Sequence, residues 1–167
     1  MLIIPSCIPP HKIPGKLASG EDRLEMCRLA FGKDPRCEVS AIELERSGKS
    51  YTVDTLRELT GEDRRLFLLL GTDMMLSLGE WYRPDEIFRL SYPVYIRREK
   101  DAILDQRIIQ TIADYNEKYG KVVRRIVTEP LVISSSEIRR RFEAQESVEG
   151  LLPPSVEKYI RDKHLYG

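Results

Sequence analysis

Short apolar runs alternate along the chain with segments in which apolar residues recur every three or four positions. The short runs are typical of buried strands, and the longer period is typical of amphipathic helices. Their alternation favours an α/β fold in which helices flank one twisted, parallel sheet. Strands are predicted at residues 2–4, 37–44, 66–70, 94–96, 122–123 and 131–133.

Helix boundaries are indicated by capping and breaking residues. Ser19 precedes one amphipathic segment, and Ser134 precedes another with Glu137 three residues further on, which is the spacing of a capping box. Gly120 ends the longest predicted helix, and Pro153 and Pro154 introduce the last one. Helices are thus predicted near residues 20–31, 53–59, 84–90, 108–119, 135–139 and 154–160.

The run at residues 66–70 consists entirely of apolar side chains. Such continuous runs occur where both faces of a parallel sheet are covered, so this segment is predicted to be the central strand. Ligands of open α/β sheets collect at the carboxyl ends of the strands, which is where Gly71 and Asp73 lie. No repeat or domain boundary is visible, and residues 1–167 are predicted to form a single domain.

Charge and cysteine content narrow the class of protein. The chain has 27 basic and 27 acidic residues, so its net charge favours neither nucleic acid nor an anionic membrane as a partner. Cys7, Cys27 and Cys37 fit neither a disulfide framework nor a metal site, and we expect reduced, mostly buried thiols. Neither a membrane-spanning run nor a signal peptide is recognisable, which predicts a cytoplasmic protein.

The segment 131–139 is the most informative stretch of the sequence. An apolar strand is followed by three consecutive serines, Glu137 and Arg139. One interpretation is a capping box alone, with Ser134 as the N-cap. The other is an anion site, in which backbone N–H groups, serine hydroxyls and Arg139 bind a phosphate at the positive end of a helix. The local residues leave both interpretations open.

Several blocks of the chain resemble the nicotinate-nucleotide adenylyltransferases, a family of the nucleotidylyltransferase superfamily with a Rossmann-like parallel sheet. The blocks occur in the order of the family and cover nearly the whole chain. They lie at residues 4–12, 50–56, 71–73, 81–83, 133–139 and 151–166.

The resemblance implies an enzyme that transfers the adenylyl group of ATP to nicotinate mononucleotide. The products would be deamido-NAD and pyrophosphate, formed during NAD biosynthesis, with Mg²⁺ as the expected cofactor. The phosphate of the acceptor is the nucleophile, so the protein needs no nucleophile of its own. Its task is to align two anions and to stabilise charge on the phosphoryl oxygens.

The same resemblance assigns residues to the ATP phosphates. Ser136 stands where the family usually has threonine, which retains the hydroxyl, and Gly71 would allow a nucleotide close to the backbone. For the histidine and lysine of the first loop, the alternative is ordinary solvent exposure. The implied set is His11, Lys12, Gly71, Ser135, Ser136 and Arg139.

A second set of residues resembles the site for nicotinate mononucleotide. Aromatic rings there supply contact area, and hydroxyl and backbone donors distinguish a carboxylate from an amide. The alternatives are ordinary packing for the two aromatic residues and helix N-caps for Thr52 and Asp73. The implied set is Thr52, Asp73, Trp81 and Tyr82.

The sequence departs from the superfamily in one respect. The glycine-rich turn and the HxGH motif of the first strand and helix do not occur, since the only histidines are His11 and His164. No catalytic residue is therefore assigned. The first strand matches the second strand of the family, so the fold is expected to lack the first β–α unit of roughly 30–40 residues. Met1 is then an internal methionine or a misassigned start, and the natural enzyme is longer.

Two other functions remain open from the sequence. One is a non-catalytic nucleotide-binding protein that has lost its reaction centre. The other is adenylyl transfer to a different phosphorylated acceptor, which the resemblance of Thr52, Trp81 and Tyr82 to a nicotinate site disfavours.

Overall fold

The structure is a computed structural model that describes residues 1–8, 17–46, 48–97, 102–120, 123–128 and 133–167. Its strands are β1 (Leu2–Ile3), β2 (Glu38–Val39), β3 (Leu66–Gly71), β4 (Ser91–Ile96) and β5 (Arg124–Ile126). Its helices are α1 (Gly20–Phe31), α2 (Ile42–Glu45), α3 (Thr52–Leu59), α4 (Thr72–Leu76), α5 (Pro84–Leu90), α6 (Ala102–Tyr119), α7 (Ser135–Glu143) and α8 (Pro154–Asp162), with a 3-10 turn at Leu78–Glu80.

The chain divides into two compact units, residues 1–50 with 133–167 and residues 51–132. Every described pairing between strands is parallel, and helices separate the strands along the chain, which confirms the α/β class. The strands form two sheets, β1-β2 in the first unit and β3-β4-β5 in the second, where the sequence predicted one.

The first unit is organised around α1, α7 and α8. Ser19 caps α1 as predicted, since its hydroxyl accepts a hydrogen bond from the N–H of Asp22 at 3.0 Å. The hydroxyl of Tyr159 on α8 donates to the Asp22 carboxylate at 2.9 Å, which ties the two helices together. The buried core of this unit consists of Phe142, Val148, Val156 and Ile160.

The second unit packs helices against the three-stranded sheet. β3 and β4 are aligned from Leu66 opposite Ser91 to Gly71 opposite Ile96. Because side chains alternate between the faces of a strand, Leu68 and Leu70 point to the core while their neighbours point away. The core consists of Val53, Leu56, Leu70, Met75, Leu78, Ile87, Phe88, Tyr95, Ile108, Tyr115 and Val123.

The prediction of a central strand at residues 66–70 is wrong for the described sheet. β3 lies at an edge of the order β3-β4-β5. Phe67 is 61% exposed and Leu69 is 44% exposed, so one face of this apolar run is open to solvent among the described residues. Continuous apolar character therefore marked a strand correctly but did not indicate its position in the sheet.

Other strand boundaries also differ from the prediction. β2 ends at Val39, and Ile42 and Leu44 lie in α2. The Ser40 hydroxyl accepts a hydrogen bond from the Ile42 N–H at 3.3 Å, and the Ala41 carbonyl accepts one from the Leu44 N–H at 2.7 Å, so a local turn replaces the extended chain. The strand predicted at 122–123 is found at Arg124–Ile126, and residues 131–132 lie outside the described chain.

The helix predictions are confirmed at their capping residues. α5 begins at Pro84 and α8 at Pro154, where the missing N–H of proline costs no hydrogen bond. α6 ends before Gly120, whose φ of +62° is a left-handed conformation that glycine adopts without strain. Across the described ranges, no helix has the length and apolar content needed to cross a membrane.

Candidate substrate site

The amino end of α7 has the predicted N-cap, Ser134, whereas the carboxylate of Glu137, the other member of the predicted capping box, binds Arg140 and Arg141. The hydroxyl of Ser134 accepts a hydrogen bond from the N–H of Glu137 at 3.1 Å. Ser135 and Ser136 are the first residues of the helix, and both are exposed. Helix geometry leaves their backbone N–H groups without intrahelical acceptors. The cap and an anion site can therefore coexist, because capping uses Ser134 and leaves the next two serines accessible.

The three consecutive arginines of α7 differ in their partners. Arg140 binds Glu137 at 2.9 Å and Glu146 at 2.8 Å, and Arg141 binds Glu137 at 2.8 Å. Arg139 instead donates to the hydroxyl of Ser136 at 3.3 Å. Among the described residues, Arg139 has no carboxylate partner. It is therefore the arginine of this helix whose charge is available to a bound anion beside Ser136.

The pKa of Glu137 gives a testable pH dependence. Hydrogen bonds from Arg140 and then Arg141 lower its pKa from 4.5 to about 2. The folded state thus favours the carboxylate, so the stabilisation is fully present well above pH 4.5 and is lost as the pH falls through about 2. We expect Glu137→Gln to lower the melting temperature clearly at pH 7 and much less at pH 2, where Glu137 is about half protonated in the folded state.

Thermal unfolding followed by circular dichroism between pH 2 and 7 measures this difference. Glu149→Gln is the control, because Glu149 is an exposed carboxylate without an ion pair in the part of the chain that the structure describes. A Glu137→Gln penalty of equal size at both ends of the pH range would contradict the assignment.

Thr52 and Asp73 do not serve as the N-caps that the sequence left open. The N-cap of α3 is Tyr51, and Thr52 is the first helical residue. The N-cap of α4 is Gly71, and Asp73 is the second helical residue, with an exposed side chain. Capping therefore does not account for either side chain. Gly71 has φ −77° and ψ 166°, angles that any residue adopts, so backbone conformation does not require glycine there.

An aromatic contact joins the segment of Thr52 to the segment of Trp81. The rings of Tyr51 and Tyr82 lie 4.6 Å apart, tilted by 41°. Tyr82 is 54% exposed, so the predicted alternative of ordinary packing does not describe it. Trp81 is half-buried and packs on one side against the core of its unit. Packing therefore accounts for part of Trp81, and its contact with a nicotinate ring stays a prediction.

Two residues that the sequence did not single out support this cluster. Tyr51 supplies the ring that Tyr82 contacts, and only its place in the block 50–56 could have indicated it. Ser77 accepts a hydrogen bond from the Trp81 indole at 3.3 Å, and its own N–H donates to the Asp73 carbonyl at 3.1 Å. It links Asp73 to Trp81, and no sequence signal marks it.

Arg83 adds backbone strain at the same place. Its φ of 55° and ψ of 58° are left-handed, and it precedes Pro84, which normally holds the preceding residue extended. Such strain costs about 1–3 kcal/mol and persists only where surrounding contacts enforce it. Two N–H groups, of Glu86 and Ile87, bind the Arg83 carbonyl at 3.1 and 3.2 Å. The start of α5 thus fixes the segment that presents Tyr82.

The structure gathers the candidate residues into two groups, each inside one unit. Ser135, Ser136 and Arg139 lie together on α7 in the first unit. Thr52, Gly71, Asp73, Trp81 and Tyr82 belong to the second unit. His11 and Lys12 lie outside the described residues, so their roles stay predictions. Within the described chain, no three carboxylate, histidine or cysteine side chains are grouped to hold a metal ion.

The chain is similar in sequence to a known protein family and to curated proteins of one name. The family model described as cytidylyltransferase-like matches residues 1–141. A Thermoanaerobacter protein named probable nicotinate-nucleotide adenylyltransferase is 32% identical over 169 residues, which cover 99% of this chain and 79% of that protein. A protein of the same name from Trichlorobacter lovleyi is 35% identical over 181 residues, covering 99% of this chain and 84% of that protein.

The solved structures agree on the fold. The nicotinic acid mononucleotide adenylyltransferase of Plasmodium falciparum, complexed with NaAD, aligns with a TM-score of 0.71 at 16% identity. The alignment covers 99% of this chain and 81% of that one. It confirms the predicted nucleotidylyltransferase type of fold.

Proposed function

Because the chain belongs to the nicotinate-nucleotide adenylyltransferases within the cytidylyltransferase-like family, we propose that it transfers the adenylyl group of ATP to nicotinate mononucleotide. A phosphate oxygen of the acceptor forms a bond to the α-phosphorus of ATP. The bond from that phosphorus to the oxygen that bridges the α- and β-phosphates breaks, pyrophosphate leaves with this oxygen, and deamido-NAD is formed. The free thiols Cys7, Cys27 and Cys37, all half-buried, suit the reducing cytoplasm in which we place the reaction.

The observation that carries the proposal is the contact between Tyr51 and Tyr82. It brings together the two segments whose resemblance implies a nicotinate site. Two accessible aromatic side chains, Trp81 and Tyr82, then offer faces for a flat pyridine ring. The hydroxyl of Thr52 is free of a capping role and lies next to Tyr51 in the chain, where it can donate to the carboxylate that distinguishes nicotinate from nicotinamide.

The ATP side of the proposal rests on α7. The N–H groups and hydroxyls of Ser135 and Ser136 and the guanidinium of Arg139 are the donors that phosphate oxygens bind at a helix N-terminus. These groups orient the triphosphate and offset negative charge as pyrophosphate departs. They do so by position and charge alone, as phosphoryl transfer between two substrates requires.

We place magnesium on the phosphates of ATP, because the N–H groups and the guanidinium of α7 bind phosphate oxygens and do not coordinate a cation. Mg²⁺ commonly keeps several waters and takes one or two carboxylates together with substrate phosphates. When bound, the ion would neutralise charge on the phosphates.

Turnover assays test the proposed function. The protein is incubated with ATP, Mg²⁺ and either nicotinate mononucleotide or nicotinamide mononucleotide, and the products are separated by chromatography. We expect deamido-NAD and pyrophosphate with the acid. Binding of both substrates without any product would indicate the non-catalytic alternative, and product with only another phosphorylated acceptor would indicate a sibling enzyme.

Tyr82→Ala tests the acceptor site by binding. We expect it to weaken nicotinate mononucleotide about three- to tenfold, the range of one aromatic contact, and to leave ATP affinity unchanged. Titration calorimetry measures both affinities. The matched control is Tyr92→Ala, because Tyr92 is also an exposed tyrosine whose ring lies near another aromatic ring, that of Phe67, at a centroid distance of 5.5 Å. Equal losses in the two variants would argue against an acceptor site at Tyr82.

A further inference from the structure

One buried hydroxyl holds the turn that leads to Trp81. The hydroxyl of Tyr115, on α6, accepts a hydrogen bond from the N–H of Gly79 at 2.8 Å. It also lies 3.1 Å from the Met75 carbonyl and 3.2 Å from the Leu76 carbonyl. A tyrosine hydroxyl has one hydrogen to donate, so these two carbonyls share it. A single side chain thus engages three backbone groups of one turn.

These backbone groups have few other ways to be satisfied. Met75 and Leu76 lie at the carboxyl end of α4, where carbonyls lose their intrahelical partners. Tyr115 is only 7% exposed, so water has little access to the hydroxyl. Burial raises the pKa of this hydroxyl, which keeps it protonated and able to donate at neutral pH. Removing it would leave polar groups of the turn unpaired, which costs more than one ordinary hydrogen bond.

The ring of Tyr115 also sits directly against the turn. A Cβ atom placed on Gly79 would lie 3.0 Å from Cε1 of that ring, closer than ordinary van der Waals contact. On its other side the ring packs against Phe88, with centroids 5.0 Å apart. The turn is therefore held by both the hydroxyl and the ring of one residue from a different helix.

The turn from Met75 to Trp81, which Tyr115 holds, contains the hydrogen-bonding groups that orient Trp81. Ser77, whose hydroxyl accepts the hydrogen bond from the indole, lies within it. The N–H of Trp81 itself donates to the Leu78 carbonyl at 3.2 Å. A displacement of this turn therefore moves the indole as well, because Trp81 is hydrogen-bonded to Ser77 and to Leu78.

We propose that Tyr115 is a positioning residue for the acceptor site, whose hydroxyl holds the turn from Met75 to Trp81 so that the indole is presented to the nicotinate ring. This role rests on the function proposed above. It is a role in affinity for the acceptor and not in contact with the reacting atoms.

Tyr115→Phe tests the role, and Tyr119→Phe is its matched control. Tyr119 lies on the same helix and stacks on Phe88 at 4.2 Å, but within the described chain its hydroxyl makes no hydrogen bond to the turn. Trp81 is the only tryptophan, so intrinsic fluorescence reports on it directly. We expect Tyr115→Phe to shift the emission to longer wavelength and to increase quenching by acrylamide, and we expect Tyr119→Phe to do neither.

Affinities decide between positioning and general damage. Tyr115→Phe should weaken nicotinate mononucleotide about five- to tenfold, the range for loss of a buried hydrogen bond, and leave ATP within about twofold. Gly79→Ala adds a methyl group that would press on the ring of Tyr115 from the turn, and it should produce the same selective loss of affinity for nicotinate mononucleotide. It serves as the second variant if Tyr115→Phe unfolds.

Two results would overturn the role of Tyr115. One is an equal loss of affinity for both substrates in folded protein, and the other is an unchanged Trp81 emission with unchanged acceptor affinity. Wild-type protein that binds no nicotinate mononucleotide would overturn the proposed function instead. In that case the fluorescence comparison would still decide whether Tyr115 holds Trp81.

Discussion

Arg139→Ala is expected to weaken the affinity for ATP about ten- to a hundredfold, the range for loss of a charge-assisted hydrogen bond to phosphate. Arg139 donates to Ser136 at 3.3 Å, and in the described part of the chain it has no acidic partner. Its removal therefore takes away a ligand group without breaking an ion pair that stabilises α7. Titration calorimetry with a non-hydrolysable ATP analogue, and separately with nicotinate mononucleotide, measures the two affinities.

The selectivity of the loss is the informative part of that experiment. We expect nicotinate mononucleotide to bind the variant nearly as well as it binds the wild type. Arg140→Ala is the matched control, because it removes the same charge from the next position of α7, where Glu137 and Glu146 already bind the guanidinium. Equal weakening of both substrates by Arg139→Ala, or an equal effect of Arg140→Ala on ATP, would contradict the phosphate assignment.

The largest expected loss of stability comes from Phe88→Ala. Phe88 is 1% exposed and stacks on Tyr119 at 4.2 Å, with the ring planes inclined by only 11°. Truncating a buried phenylalanine costs about 3–5 kcal/mol, because transfer energy is lost and a cavity remains. We expect the free energy of unfolding to fall by that amount in the unit formed by residues 51–132. Chemical denaturation followed by the fluorescence of Trp81, which lies in this unit, measures it.

A second phenylalanine of the same unit provides the control. Phe67 on β3 is 61% exposed, so Phe67→Ala should change the free energy of unfolding by less than about 1 kcal/mol. A large loss at Phe67, comparable to that at Phe88, would show that the open face of β3 is covered in solution. That result would contradict the solvent exposure of this face and restore the sequence-based expectation of a strand covered on both faces.

Much of the helical structure was predictable because helix signals are local. Ser19 and Ser134 precede their helices as N-caps, and Pro84 and Pro154 occupy first helical positions. A cap acts through hydrogen bonds within one turn, so its meaning does not depend on the rest of the fold. The strands were less predictable. Ile42 and Leu44 have strand-like spacing. They nevertheless lie in α2, where the Ala41 carbonyl accepts a hydrogen bond from the Leu44 N–H.

The candidate site divides in a similar way. The phosphate group of residues was visible in the sequence, because Ser135, Ser136 and Arg139 are within one turn and a half of a single helix. What the sequence did not show is that carboxylates engage Arg140 and Arg141, whereas none of the carboxylates that the structure describes engages Arg139. The partners of three adjacent arginines depend on where Glu137 and Glu146 lie in space, and charge counting along the chain does not reveal it.

The sequence by itself determined the α/β class, the helix caps, the Ser134–Arg139 segment and the family, since each depends on short-range pattern or on matched blocks. Only the tertiary structure decided that β3 lies at an edge of the described sheet, that Tyr51 meets Tyr82, and that Tyr115 holds the turn before Trp81. Tyr51 and Tyr82 are 31 positions apart in the sequence, and Tyr115 is up to 40 positions from the backbone groups that its hydroxyl contacts. No local period encodes such pairings, because they are selected by how the core packs and by which buried polar groups must find a partner.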